Sequence, residues 1–233
     1  MIDPYWAVQL VGSDHDVDRI EASLDARFDP YLTQVKSTRA ICCAAFNGLT
    51  DPSEVRDIAE SIVSVLRGAV ELVSDPRPLA VGSVFRVWKE GRIDAFISAS
   101  FPARLRIIGH PAKITVCDSS GNVVEPPPTP TTAQQWIALA LNDEDIADLL
   151  TFFGRADNWF DLYKAIEMAE KIVGGEHALR AHFPNLKLIK TTANSYRHTR
   201  GYAPGAPVSF TEAHEVVGGV VRSILRKRPP PTA

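Results

Sequence analysis

Residues 191–201 read TTANSYRHTRG, and they hold the side chains of this chain best suited to acid–base and phosphate chemistry. On a helix of about 3.6 residues per turn, Thr191, Asn194 and His198 fall at i, i+3 and i+7, on one face. Arg197 is turned away from His198 by about 100°. A histidine so placed can serve as a general acid or base, and a guanidinium can grip a phosphate with two parallel donors. Lys190 and Arg200 add positive charge on either side, and Asn194 adds a polar contact. Upstream, NWFDLYKAIEMAEKIVGG places Leu162, Ala165, Ile166 and Ala169 on an apolar face, with Tyr163, Glu167 and Glu170 on a neighbouring one. Glu167 is therefore positioned to meet Arg197 or His198 across a helical bundle. The same residues also suit a polar cluster that only fixes helix register, since a buried Glu–Arg pair does not by itself argue for function.

Other chemistry-bearing patterns are missing. No GxxxxGK[ST], GxGxxG or GxSxG occurs, so nucleotide hydrolysis, a dinucleotide site and a serine nucleophile have no support, and no cofactor is expected. His177 and His182 are five apart, off a common helical face, where a metal pair needs three or four. His214 lies in the last predicted helix and meets His198 only if the bundle brings them together. His15, in DHDVD, lacks the Gly and closing Glu of a calcium loop and suits a capped helix start. The three cysteines are Cys42, Cys43 and Cys117; an odd count with two adjacent fits neither a disulfide framework nor a zinc site. Cys42 and Cys43 belong to an apolar run and read as small buried hydrophobes in a reducing compartment. Arg86, Lys89, Arg92, Arg104, Arg106 and Lys113 interleave with Phe85, Trp88 and Phe96. That pattern suits either stacking on single-stranded nucleic acid or ordinary amphipathic strands, with Glu90 and Asp94 favouring the second.

Such side chains need elements to hold them. YWAVQLVG reads as a buried strand, and Ser13-Asp14-His15-Asp16 starts a helix whose Val17, Ile20 and Leu24 repeat every three to four residues, to about Arg27. RAICCAAFNGL reads as a central strand. Asp51-Pro52-Ser53-Glu54 joins an N-cap carboxylate, a first-turn proline and a capping-box Glu. Val55, Ile58, Ile62, Leu66 and Val70 then form a stripe, so a helix runs to about Val73. VGSVFRVWKEGRIDAFIS predicts a hairpin turning at Lys89-Glu90-Gly91, and ARLRIIGH and KITVCDSSGNVV predict further strands. Two helices among about six strands make an α+β domain with a largely antiparallel sheet, whose opening strand–helix–strand order suits a ferredoxin-like arrangement.

EPPPTPTT, four prolines in eight residues, predicts an extended linker. Beyond it the pattern is helical. Capping signals stand at Thr131 to Gln134, at Asn142 to Asp145, at Asn158-Trp159 and at Ser209 to Glu212, and LKLIKTTANSYRH supplies one more helix. The expected organisation is an α+β domain over 1–124, a linker over 125–132, an all-α bundle of five helices over 133–226, and a disordered tail over 227–233.

The stretch from 157 to 225 resembles the HEPN domains, the nucleotide-binding helical bundles of higher eukaryotes and prokaryotes. The residues that carry it are a helix ending in YRHTRG, a Gly/Pro loop, the closing helix PVSFTEAHEVVGGVVRSIL, and the long helix NWFDLYKAIEMAEKIVGG. The resemblance implies an antiparallel bundle, often dimeric, whose catalytic members cleave RNA without metal through an Arg and a later His with four to six residues between them. Counting back from His198, those positions hold Thr191, Thr192 and Ala193; Lys190 is one step too far and Arg197 is adjacent. The resemblance therefore implies a non-catalytic member that dimerises or contacts RNA, with a ribonuclease using Arg197, His198 and Glu167 as the alternative.

The chain of 233 residues is 45% hydrophobic and 23% charged, which suits globular cores. Its net charge of −3 hides an asymmetry. Residues 134–176 carry nine acids against three bases, and residues 177–233 carry nine bases against two acids. Either the two blocks attract each other within one helical domain, or the second is a basic face for an anionic partner. No apolar run reaches the roughly 18 residues of a membrane span, and the first residues lack the basic start of a secretory signal. The expectation is a cytoplasmic, non-enzymatic interaction or regulatory protein, homodimeric through the bundle, that binds RNA or another phosphate-bearing partner and no membrane. A small-ligand sensor with a site between the domains is the third reading.

Overall fold

The computed structural model describes residues 4–74, 79–97, 129–197 and 208–228. The chain divides into two compact units, Met1–Ile58 with Arg77–Gln134, and Ala59–Pro76 with Gln135–Ala233.

The first unit opens with β1 (Tyr5–Val11), α1 (Asp14–Ser23), β2 (Tyr31–Val35) and β3 (Thr38–Cys42), then a short 3-10 turn over Ala44–Phe46. It takes in the start of α2 (Pro52–Ser74), and then β4 (Ala80–Val87) and β5 (Ile93–Phe96). The sheet order is β2-β3-β1-β4-β5, antiparallel at every described pairing. Its first four strands, with α1 and α2 between them, form the ferredoxin-like βαββαβ pattern. The α+β class with an antiparallel sheet, expected from the sequence, is what the chain adopts. The predicted strands ARLRIIGH and KITVCDSSGNVV lie outside the described residues.

Local chemistry explains these elements. Ser13 accepts from the Asp16 N–H at 3.2 Å and starts α1. That helix ends at Ser23 rather than near Arg27, because Leu24 is extended and Asp25 folds back to bind Arg27 through the backbone N–H at 2.9 Å. Asp51 accepts from the Ser53 N–H at 2.8 Å and starts α2. Gly91 has φ of 86° and closes the β4–β5 turn, where the Trp88 N–H donates to the Arg92 carbonyl at 2.9 Å. Period-two alternation sorts the strands into two faces. Trp6, Val8, Ile41 and Val84 share one face with Arg39, which pairs with Asp18 and Glu21 of α1. Ala7, Val35, Ala40 and Cys42 are buried on the other, packed with Tyr5, Tyr31, Phe85, Val87 and Ile93.

The second unit takes the rest of α2 and of α3 (Thr132–Asn142), followed by α4 (Glu144–Gly154), α5 (Trp159–Val173), α6 (Glu176–His182), α7 (Leu186–Arg197) and α8 (Phe210–Arg226). Among the described residues six helices follow residue 131, not five, because seven residues between Gly175 and Phe183 form α6. The caps read from the sequence are in place. Asp143 accepts from Asp145 and Ile146, Asn158 from Phe160 and Asp161, and Ser209 from Glu212. α5 stops at Gly174, which is left-handed with φ of 90°. The α5 face of Leu162, Ala165, Ile166 and Ala169 is fully buried, as its spacing predicts. Within this unit α2 is buried on most sides, through Ile62, Val63, Val65, Leu66, Ala69, Val70 and Leu72.

Candidate functional site

Residues 191–197 of the opening stretch lie on α7, whose last residue is Arg197. The Arg197 side chain, His198 and Arg200 lie outside the described residues, so the proposed acid–base pair is not placed. Glu167 bonds Lys164 on its own helix at 2.7 Å. Asn194 is exposed. Lys190 has a definite role. Its Nζ sits 2.8 and 2.7 Å from the two Glu170 oxygens, 3.2 Å from Glu176, and 5.8 Å from the Tyr163 ring centre. The Lys190 and Glu170 side chains are only 18% and 15% exposed, so this cluster ties α7 to α5 from inside the bundle. Burial opposes the charged form of Lys190, but the bonds to Glu170 and Glu176 outweigh it and hold the ammonium above its ordinary range.

Part of the charge asymmetry is met in the same way. Arg228 bonds Asp143 at 3.1 Å, Lys190 takes Glu170 and Glu176, and Arg180 pairs with Glu176. Acids of the 134–176 block thus meet bases of the 177–233 block within one helical unit. Any anionic partner of α7 and α8 must be held by more than their formal charge.

A different group is assembled where α5 and α8 begin and α7 ends. Asn158 and Ser209 cap their helices and put Trp159 and Phe210 in the first turn of each. Trp159 lies flat on Tyr196, with ring centres 5.3 Å apart and planes 3° from parallel, and meets Phe210 edge-on at 5.2 Å. Phe210 leads to His214, with centres 6.0 Å apart, and His214 stacks on Phe153 at 4.7 Å. His214 Nε2 is 3.2 Å from a Glu71 carboxylate oxygen, which fixes the ring. Tyr196 is 64% exposed, so one face of the Trp159–Tyr196 stack opens to solvent beside the backbone of Arg197. In the sequence Trp159 and Phe210 stand out only as neighbours of caps. The available signal was an aromatic residue directly after each of two N-caps.

Among the interleaved basic and aromatic residues of the hairpin, Arg86 and Arg92 lie against tryptophan rings. Arg86 lies over Trp6 at 5.2 Å and Trp88 at 4.8 Å, and Arg92 lies over Trp88 at 4.1 Å. Trp88 donates to Asp94 at 2.8 Å. Phe85 faces the other side of the sheet, next in sequence to Arg86, so the pattern does not make one continuous stacking surface there. Arg104, Arg106 and Lys113 lie outside the described residues.

Cys42 and Cys43 are buried. Burial pushes the Cys42 thiol up to about 11 and the Cys43 thiol up to about 12, so neither is a nucleophile at neutral pH. Folding keeps these thiols protonated, which stabilises below their ordinary pKa and is lost as pH rises through the folded values. In a Cys117→Ser variant, a thiol reagent at pH 8 should label neither cysteine until denaturant is added. Fast labelling of the native protein would refute their burial.

Among the described residues no group of three or more His, Cys, Asp or Glu side chains could hold a metal ion, and no helix is long and apolar enough to cross a membrane. Comparison with known proteins finds no match to a family model, to a curated protein or to a solved structure.

Proposed function

We propose that this protein is a non-enzymatic interaction protein whose helical unit, HEPN-like and non-catalytic, binds single-stranded RNA at the end where α5, α7 and α8 meet. The Trp159–Tyr196 stack carries the reading: an exposed tyrosine ring backed by a parallel indole is a surface on which a base can add. Arg197 and Arg200 follow Tyr196 closely in the chain and supply positive charge for the backbone of the nucleic acid. The packing of α5 against both α7 and α8 supports this reading. Two copies associate through this bundle, with exposed Phe160 and Leu188 as the apolar contribution.

Fluorescence anisotropy of a labelled oligouridylate tests the binding. Wild-type protein should bind with an affinity that falls as salt rises. Tyr196→Ala should weaken binding by about 5- to 150-fold, the equivalent of about 1–3 kcal/mol per stacked base, while Tyr196→Phe retains it. Equal binding by Tyr196→Ala would refute the site. Cleavage of the RNA by wild-type protein but not by His198→Ala would replace this reading with the ribonuclease. Native mass spectrometry reads the oligomer, and a bare monomer would refute the dimer.

A further inference from the structure

The opposite end of α5 holds a cavity of about 300 Å³ that the reading above leaves unused. Its walls are apolar: Val173 from α5, Leu179 from α6, Phe183 just after α6, and Ile224 from α8. His182, Lys227 and Arg228 are also in its lining. This is the composition of a small-ligand site, an apolar body with few polar groups to orient the guest.

The charge at the cavity decides the class of guest. α5, α6 and α8 all end here, and helix C-termini bring negative partial charge. Much of it is spent internally. Gly174 and Gly175 donate backbone N–H groups to the last turn of α5, and Lys227 and Arg228 donate theirs to the last turn of α8. Arg228 is matched by Asp143 at 3.1 Å. Lys227 is exposed, and no carboxylate among the described residues lies within ion-pair distance of it. His182 uses Nδ1 toward the Ala178 carbonyl at 3.3 Å, which leaves Nε2 for a guest. One unmatched full positive charge therefore stands over an apolar pocket.

We infer that this cavity binds a small amphiphilic anion, with its hydrocarbon body against Val173, Leu179, Phe183 and Ile224 and its carboxylate at Lys227. Isothermal titration with decanoate tests it, with decanol and decylammonium as head-group controls. Decanoate should bind one-to-one in the micromolar range and raise the melting temperature. Decylammonium should bind at least about tenfold more weakly. Lys227→Glu should weaken decanoate at least about tenfold and leave decanol unchanged. Ala178 is exposed on α6 and lines the cavity, so Ala178→Trp fills the space without disturbing buried side chains. That variant should lose decanoate and decanol together while keeping its unliganded melting temperature. No decanoate binding, binding unchanged in Ala178→Trp, or decylammonium binding as tightly as decanoate would each overturn the proposal. Because the aromatic stack lies at the other end of α5, oligouridylate binding by both variants should match wild type.

Discussion

Gly68→Ala is expected to lower the melting temperature by about 6–12 °C, the equivalent of about 3 kcal/mol in a protein of this size. Intrinsic preference points the other way, because alanine is favoured over glycine inside a helix by about 1 kcal/mol. The contact decides the sign. A Cβ added at Gly68 would stand 2.1 Å from the Leu150 carbonyl oxygen and 2.8 Å from its carbon, both backbone atoms of α4. From the other side, a Cβ at Gly154 would stand 2.6 Å from the Gly68 nitrogen. Two helices thus cross with backbones in contact, and a rigid carbonyl cannot swing aside as a side chain would. The helices must separate, which opens gaps among Leu66, Leu149 and Leu150, all fully buried. Gly219→Ala is the internal control. It lies in the middle of α8 with nothing within 4 Å of the added methyl, so it should be neutral or stabilise by up to about 1 kcal/mol. Thermal melts of both variants read the two effects on one scale. If Gly68→Ala melts as high as Gly219→Ala, the close crossing is wrong.

The same helix shows what a sequence does and does not carry. Its start was legible at Asp51-Pro52, because a cap acts over three residues and needs no knowledge of the fold. So were Asp143, Asn158, Ser209 and the terminal Gly174. The stripe Val55-Ile58-Ile62-Leu66-Val70 was also visible, yet it does not reveal that the chain changes packing partners near Ala59. Periodicity reports that a face is buried and is silent on what buries it. Two elements escaped. β2, YLTQV, is short and lacks clean alternation, and α6 is too brief to show a stripe. Strand order was not legible, since it is decided by which strands pair across long separations in sequence. The candidate site shows the same limit. Tyr196 and Trp159 lie 37 positions apart, and only the meeting of α5 and α7 makes them a stack. Lys190 reads from the sequence as a charge open for binding because its two carboxylate partners sit on α5 and α6, out of reach of any local reading.

Gln134→Leu should cost about 3–5 kcal/mol, although the apolar volume is nearly kept. Gln134 is 1% exposed, and every one of its polar atoms is engaged. Its Nε2 donates to the carbonyls of Asp25, Phe28 and Pro30 at 2.9, 3.1 and 3.0 Å. Its Oε1 accepts from the backbone N–H groups of Asp25 at 3.0 Å and Thr131 at 3.2 Å. The Thr131 hydroxyl accepts from the Gln134 N–H at 3.2 Å and donates to the Ser23 carbonyl at 2.6 Å, which completes the capping box and pins the start of α3 to the loop after α1. Leucine would leave these backbone groups without their partner, and each buried orphan costs about 1–3 kcal/mol before water relieves part of it. Gln134→Glu separates hydrogen bonding from volume. It keeps the acceptor, loses the donor, and sets a carboxylate against three carbonyl oxygens. Burial and those oxygens would raise the pKa of the introduced carboxyl in the folded state above its unfolded value. A raised folded pKa means stability is regained as pH falls, because the protonated acid restores one donor. In urea titrations the deficit of Gln134→Glu relative to wild type should therefore shrink between pH 8 and pH 5, while that of Gln134→Leu stays constant. A pH-independent deficit for Gln134→Glu would show that shape at this position, rather than the donor pattern of the amide, holds α3 to the loop.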